Sequence, residues 1–524
     1  MRQIFYLIAS FLLILNWSSC RDNFDFIVDE GNLSFSKDTV YLDTVFTNIG
    51  SSTYTLKVYN NSENNIIIPK VKFRNGLNSK FRLNIDGLTG DVPFSGNEFS
   101  GVELLARDSM YVFIETTINI QDLVLNESQY LYTDAIEFGI NDIQSVELIT
   151  LVKDAIFIYP QQTINNDGSV QIETLSFDYD EDGIVDQTNL QGRFLSENEL
   201  NFTSDKPYVI YGYVAVDNGD ILNIDPGARV HFHSNSGLII TNNASIHANG
   251  LLSTDQNLLE NEIIFQSDRL EPSFEEIPGQ WQTIWLFNGS TNNIFNYTTI
   301  KNSTVGILCD GDSEDENKVT ITNTKIYNNS NFGILARETN IKAENLVINN
   351  CGESSFAITS GGKYDISHGT IVNYWTSSFR QFPSLLLNNF RTDSDQNIVP
   401  ANLVDANFTN CIIYGNDNPE LLLDHVNGAD FNFKFKNCLI LFDDLNNVYT
   451  SPYYNFSDSN LFSDVIFNED PDFHDPTQNK LQISINSPAA SFGTNSGFLN
   501  YDILGNQRNT PPDIGAYNAE EISN

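Results

Sequence analysis

"TTIKNSTVGILCDG" (298–311), "TKIYNNSNFGILAR" (324–337), "LVINNCGESSFAIT" (346–359) and "GTIVNYWTSSFRQF" (369–382) are four versions of one segment. Their first isoleucines, Ile300, Ile326, Ile348 and Ile371, lie 26, 22 and 23 residues apart, and two residues after each stands Asn302, Asn328, Asn350 or Asn373. A strand motif that returns with a period in the low twenties implies a stack of coils, because one coil cannot cover its own apolar side. Isoleucine then belongs inside, and asparagine at a fixed turn can pass amide hydrogen bonds from coil to coil. "NCIIYGN" near Ile413 and "NCLILFDD" near Ile440 continue the series after an insertion over roughly 380–400.

Working toward the N-terminus, "LNIDPGARVHF", "SGLIITNNASIHANG" and "NEIIFQSD" keep the same short apolar alternation broken by Gly and Asn. Before them, residues 37–160 read as an antiparallel sandwich of short alternating strands such as "TVYLDTVFTN", "TYTLKVYNN" and "SVELITLVKDA". The expected fold class is therefore all-β. Residues 161–200 read as a linker, 201–470 as the coil stack and 471–524 as its closing segment.

The order "PYVIYG", L-x-I-x-P-G and A-x-G resembles the opening turns of right-handed parallel β-helix proteins. "SPAASFGTNSGFLNYDILGNQRNTPPDIGAYN" is similar to their closing segment, with Asp502 to Arg508 as D-x-x-G-N-x-R, then Asp513 to Tyr517, and Asn518 where an acidic residue is usual. That likeness implies that the segment caps the open end of the stack. "DTVFTNIGSSTYTLKVYNNSENNIIIPKVKF" resembles the immunoglobulin-like modules of Bacteroidota surface lipoproteins.

Compartment follows from the first 36 residues. One charge, about a dozen apolar residues, Ser18, Ser19 and Cys20 form a secretory layout too short for a spanning helix. It resembles a lipobox, with Trp17 where Leu, Val or Ile is usual, which implies cleavage after residue 19 and acylation of Cys20. Within the acidic linker 20–36, Arg21, Asp22, Asn23, Phe24 and Asp25 resemble the short surface-export signals of Bacteroidota lipoproteins, with a solvated linker the plain alternative. The expectation is an outer-membrane, lipid-anchored chain exposed at the cell surface.

With 27 Lys plus Arg against 68 Asp plus Glu, the net charge of −41 argues against nucleic acid and anionic lipid as partners. Calcium, cationic proteins and neutral glycans stay open. "FDYDEDGIVDQTN" places Asp178, Asp180, Asp182 and Asp186, with the Ile184 carbonyl, as a loop that could hold structural Ca2+ and stiffen the junction between domains. Asn189 stands where a bidentate Glu would close it, and an acidic linker explains the run as well. Cys309, Cys351, Cys411 and Cys438 read as small buried coil residues, with disulfides the alternative.

For chemistry, "GGKYDISHGT" offers Lys363, Asp365 and His368, with Arg337 and Glu338 close in the repeat. Convergence of these in a groove would suit a polysaccharide lyase or glycosidase, whereas a solvated face with one histidine is the plainer account. His231 and His233 have two-ligand spacing on one strand but lack a third ligand nearby. Trp281, Trp285 and Trp375 are candidates for a strip that binds sugar rings or a protein. The leading expectation is a non-catalytic binding scaffold, an accessory subunit of an outer-membrane protein complex. Lyase or glycosidase and glycan-binding adhesin are the alternatives.

Overall fold

The structure is a computed structural model and describes residues 25–28, 32–88, 90–91, 96–124, 127–178, 184–311, 318–495 and 500–522. It is all-β, and among those residues helix is confined to three-residue 3-10 turns. The chain divides into two compact units, 1–154 and 155–524.

The first unit holds two sheets around one core. In the larger, Asn65–Phe73, Gln129–Phe138, Gln144–Lys153 and Thr39–Phe46 lie in that order, flanked by Phe26–Val28 and Glu98–Leu104. In the smaller, Leu33–Phe35, Tyr54–Asn60, Ser109–Thr116 and Phe81–Ile85 are neighbours. Alternation decides which side chains go in: Val146, Leu148 and Val152 from one sheet meet Leu56, Val58, Val112 and Ile114 from the other. The unit begins ahead of the expected residue 37, since Phe26–Val28 pairs with Asn65–Ile67, and it ends at Asp154 rather than at 160.

In the second unit most strands pair in parallel with the third strand after them. Tyr208–Ile210 lies against Arg229–Phe232, that strand against Ile263–Ser267, and that one against Thr298–Lys301. The chain thus returns to the same column once every three strands, stacking rungs. Pairing runs from Ile156–Ile158 and Gly192–Phe194 at one end to Phe462–Ser463 and Ile466–Phe467 at the other. The expected linker 161–200 is therefore part of this unit, drawn in because Gly192–Phe194 finds a backbone partner in Tyr213–Ala215. Gly192 suits that approach, since a Cβ would lie 2.1 Å from the Tyr213 carbonyl oxygen.

Ile300, Ile326, Ile348, Ile371, Ile413 and Ile440 are successive register partners, all buried. Each such side chain contributes about 1.5–3 kcal/mol by leaving water. Asn302, Asn328 and Asn350 turn the chain at one corner in the left-handed region, which Asn tolerates better than most residues. Asn350 donates to the Asn328 Oδ1 at 2.7 Å, as expected, but Asn302 donates to the Glu275 and Ile277 carbonyls instead. Asn373 has no such turn and brackets Cys351 through its N–H and carbonyl.

The closing segment does not cap the stack. Leu481, Ile483, Ala489, Ile503, Ile514 and Tyr517 lie along its side, against the outward column Val347, Val372, Ile412 and Leu439. Those four side chains would otherwise face water, and the segment answers them with apolar residues of its own. The last rung is covered by aromatics: Phe456 stands 4.9 Å from Phe462 and 4.5 Å from Phe467, with Tyr449, Tyr453 and Tyr454 beside it.

Candidate binding face

Strands with inward isoleucine and leucine must turn the alternate residues outward. On one side of the stack, Ile239, Trp285, Leu308, Leu335, Ala357, Leu386 and Leu422 are successive partners and form an apolar column. Two residues further along their strands runs a polar row, in which Asp310 pairs with Arg337, Arg337 with Thr359, and Asn388 with Asp424. Apolar and polar rows in register repeat the same contact from rung to rung, an arrangement suited to an extended ligand.

A hairpin of Thr174–Phe177 and Asp186–Phe194 covers the start of the apolar column. Leu175 and Phe177 bury Ala215, Ile239 and Phe287, and Trp285 packs at the margin of that cluster. Trp285 Nε1 donates to Asp310 Oδ2 at 2.7 Å, and Arg337 grips the same carboxylate with Nε at 2.5 Å and Nη2 at 2.6 Å. The Arg337 side chain is 46% exposed, so the pair adds little stability, but it fixes the plane of the indole. Against that indole opens a cleft of about 300 Å³, walled by Asp186, Gln187, Thr188, Asn189 and Leu190 of the hairpin.

Of the candidates Trp281, Trp285 and Trp375, Trp285 alone lines this cleft. Trp281 is buried inside the stack, stacked on Phe232 at 4.2 Å, with its N–H on the Lys301 carbonyl. Trp375 is buried too, bonded to the Ser378 hydroxyl. Period and composition could not separate inward from outward aromatics; the register of the columns does.

Lys363, Asp365 and His368 do not converge. Lys363 and Asp365 face outward in a mixed ladder, with Lys363 between Asn340 and Asp405 and Asp365 between Lys342 and Asn407. Arg337 lies on the preceding face and Glu338 at the corner that Ser360 makes in the next rung. His368 sits at the next corner and is buried beneath the closing segment. Its Nε2 accepts from Asn410 and its Nδ1 donates to the Gly515 carbonyl. Burial, and then the Arg508 guanidinium, push its pKa down to about 3, so the ring is a neutral structural group.

His231 and His233 turn to separate partners, the Ser267 carbonyl and the Asp268 carboxylate, and that carboxylate raises the His233 pKa. Asp178, Ile184 and Asp186 lie at the hairpin, with Asp186 opposite Phe177. Asp180 and Asp182 lie outside the described residues, as does Cys20. Among the described residues no group of three His, Cys, Asp or Glu is placed to hold a metal ion. Cys309, Cys351, Cys411 and Cys438 are buried thiols outside any disulfide.

No protein-family model matches the chain, and no curated protein matches it. Among solved structures, a family 123 glycoside hydrolase from Clostridium perfringens aligns at 10% identity over 24% of this chain and 30% of its own, with a TM-score of 0.16. A PapD-like domain of human CEP192 aligns at 11% identity over 26% of this chain and 95% of its own, TM-score 0.14. The catalytic domain of a GH87 alpha-1,3-glucanase aligns at 11% identity over 74% and 81%, TM-score 0.17. Likenesses this slight carry no argument about fold or activity.

Proposed function

We propose that the chain is a lipid-anchored outer-membrane surface protein, an immunoglobulin-like sandwich followed by a right-handed parallel β-helix that binds rather than cuts. Parallel pairing of each strand with the third after it supports the β-helix, and the two facing sheets of the first unit support the sandwich. The observation that carries the binding reading is the pair of in-register columns, apolar from Trp285 to Leu422 and polar from Asp310 to Asp424. Such a face suits an extended segment of a membrane-protein partner, which the anchor at Cys20 would keep within reach.

A structural calcium ion belongs to the same proposal. Asp178 and Asp186 bracket the acidic turn, so a cation there would tie the two strands of the hairpin that walls the cleft. The test of the whole is recovery of the acylated chain from native membranes in mild detergent. A stable membrane-protein partner is expected; a lone monomer overturns the reading.

A further inference from the structure

We propose that the cleft at Trp285 binds one ring of a neutral glycan. This deepens the binding reading and rests on it, naming a second ligand for the same face. The floor is an aromatic plane of fixed orientation: the Trp285 N–H is held by Asp310, Asp310 is held by Arg337, and Phe287 packs its edge at 5.3 Å. An indole locked in this way loses little freedom on binding, and the flat C–H face of a pyranose stacks on such a ring.

The wall supplies hydrogen bonds of the right kind. Gln187 and Asn189 alternate on an exposed strand edge of the hairpin, each offering an amide donor and acceptor to hydroxyl groups. Thr188 is spent on the hairpin itself, donating to the Leu175 carbonyl and accepting from the Leu190 N–H. A volume of about 300 Å³ lies at the small end of ligand clefts, which fits one sugar unit of a chain continuing along the face.

Charge selects among sugars. The wall carries the Asp186 carboxylate and no cation among the described residues lines the cleft, while Arg337 beside the indole is engaged by Asp310. The whole chain adds a field of net charge −41. A uronate or sulfated ring would meet repulsion there, whereas a neutral hexose would not.

The test is titration of the full chain, followed by tryptophan fluorescence, with malto-, cello-, laminari- and mannohexaose and with hexagalacturonate. At least one neutral hexasaccharide should saturate the signal, Trp285→Ala should weaken its binding about 30-fold or more, and hexagalacturonate should not compete. Gln187→Ala with Asn189→Ala, on an exposed edge, repeats the test by calorimetry without touching the packed indole and should cost about tenfold. No saturation by any neutral member, a Trp285→Ala chain that binds within about twofold of the parent, or equal affinity for hexagalacturonate overturns the proposal. Because the membrane partner is scored separately by copurification, loss of glycan binding with the partner retained defeats this inference alone.

Discussion

Asn410 donates its side-chain amide to His368 Nε2 at 3.0 Å, which places the His368 proton on Nδ1, facing the Gly515 carbonyl. His368 is one member of a corner ladder, for Asn323, Asn345, Asn410 and Asn437 occupy the same position on neighbouring rungs with left-handed backbone. The closing segment binds this ladder rung by rung: Asn345 takes Arg508, Asn410 takes Thr494 and Asn437 takes Phe492.

The His368 pKa of about 3 lies below its ordinary 6.5, so the unfolded chain binds the extra proton and acid favours unfolding. The stability it contributes is complete above pH 6.5 and is lost progressively as pH falls toward 3, at up to about 1.4 kcal/mol per unit. Denaturant titrations of the parent and of His368→Asn between pH 4 and 7 should show the slope reduced in the variant. Asn keeps the corner geometry, so the two should be within about 1 kcal/mol of each other at pH 7.

Arg380 and Glu420 form an ion pair with side chains 3% and 0% exposed, and Glu420 also accepts from the Ser384 N–H and hydroxyl. Arg380→Ala leaves that carboxylate buried without its cation. The expected loss is about 3–5 kcal/mol in chemical denaturation. A loss below about 1 kcal/mol would show that water reaches the site.

Arg508 donates to Asn345 Oδ1 at 2.7 Å and to the Gly515 carbonyl at 3.1 Å, and burial lowers its pKa to about 10. Arg508→Ala should cost about 2–3 kcal/mol and loosen the closing segment before the stack unfolds. Hydrogen exchange should then quicken over 502–517 and at Val347, Val372 and Ile412, while the interior isoleucines stay protected. Uniform exchange across the second unit would count against a separate lateral clasp.

Burial pushes the Cys351 thiol up to about 11 and the Cys411 thiol well above its ordinary value. In a Cys20→Ser chain, an aromatic disulfide reagent should therefore find no reactive thiol in the native state and four after denaturation. Two or none after denaturation would mean disulfides.

The interior was legible because isoleucine has to recur where rungs meet, and Ile300 through Ile440 do so in register. The corner ladder was not, since His368 interrupts its asparagines and an isolated histidine reads as chemistry. Nor was the lateral path of the closing segment: Val372 and Ile412 look in sequence like further interior residues, and only alternation against Ile371 and Ile413 turns them outward. The cleft depends on Asp310 and Arg337, 27 residues apart, meeting through parallel pairing that no local pattern announces.

Binding of a membrane partner along the outward columns is the proposal on which the rest depends. Its most direct measurement is quantitative copurification from native membranes of the parent chain beside Leu308→Glu with Leu335→Glu, both half-buried positions whose side chains leave the interior intact. One stable membrane-protein partner is expected with the parent, and its loss by tenfold or more with the variant, at equal recovery of folded chain. Equal partner recovery with both chains, or a lone monomer with the parent, would contradict it.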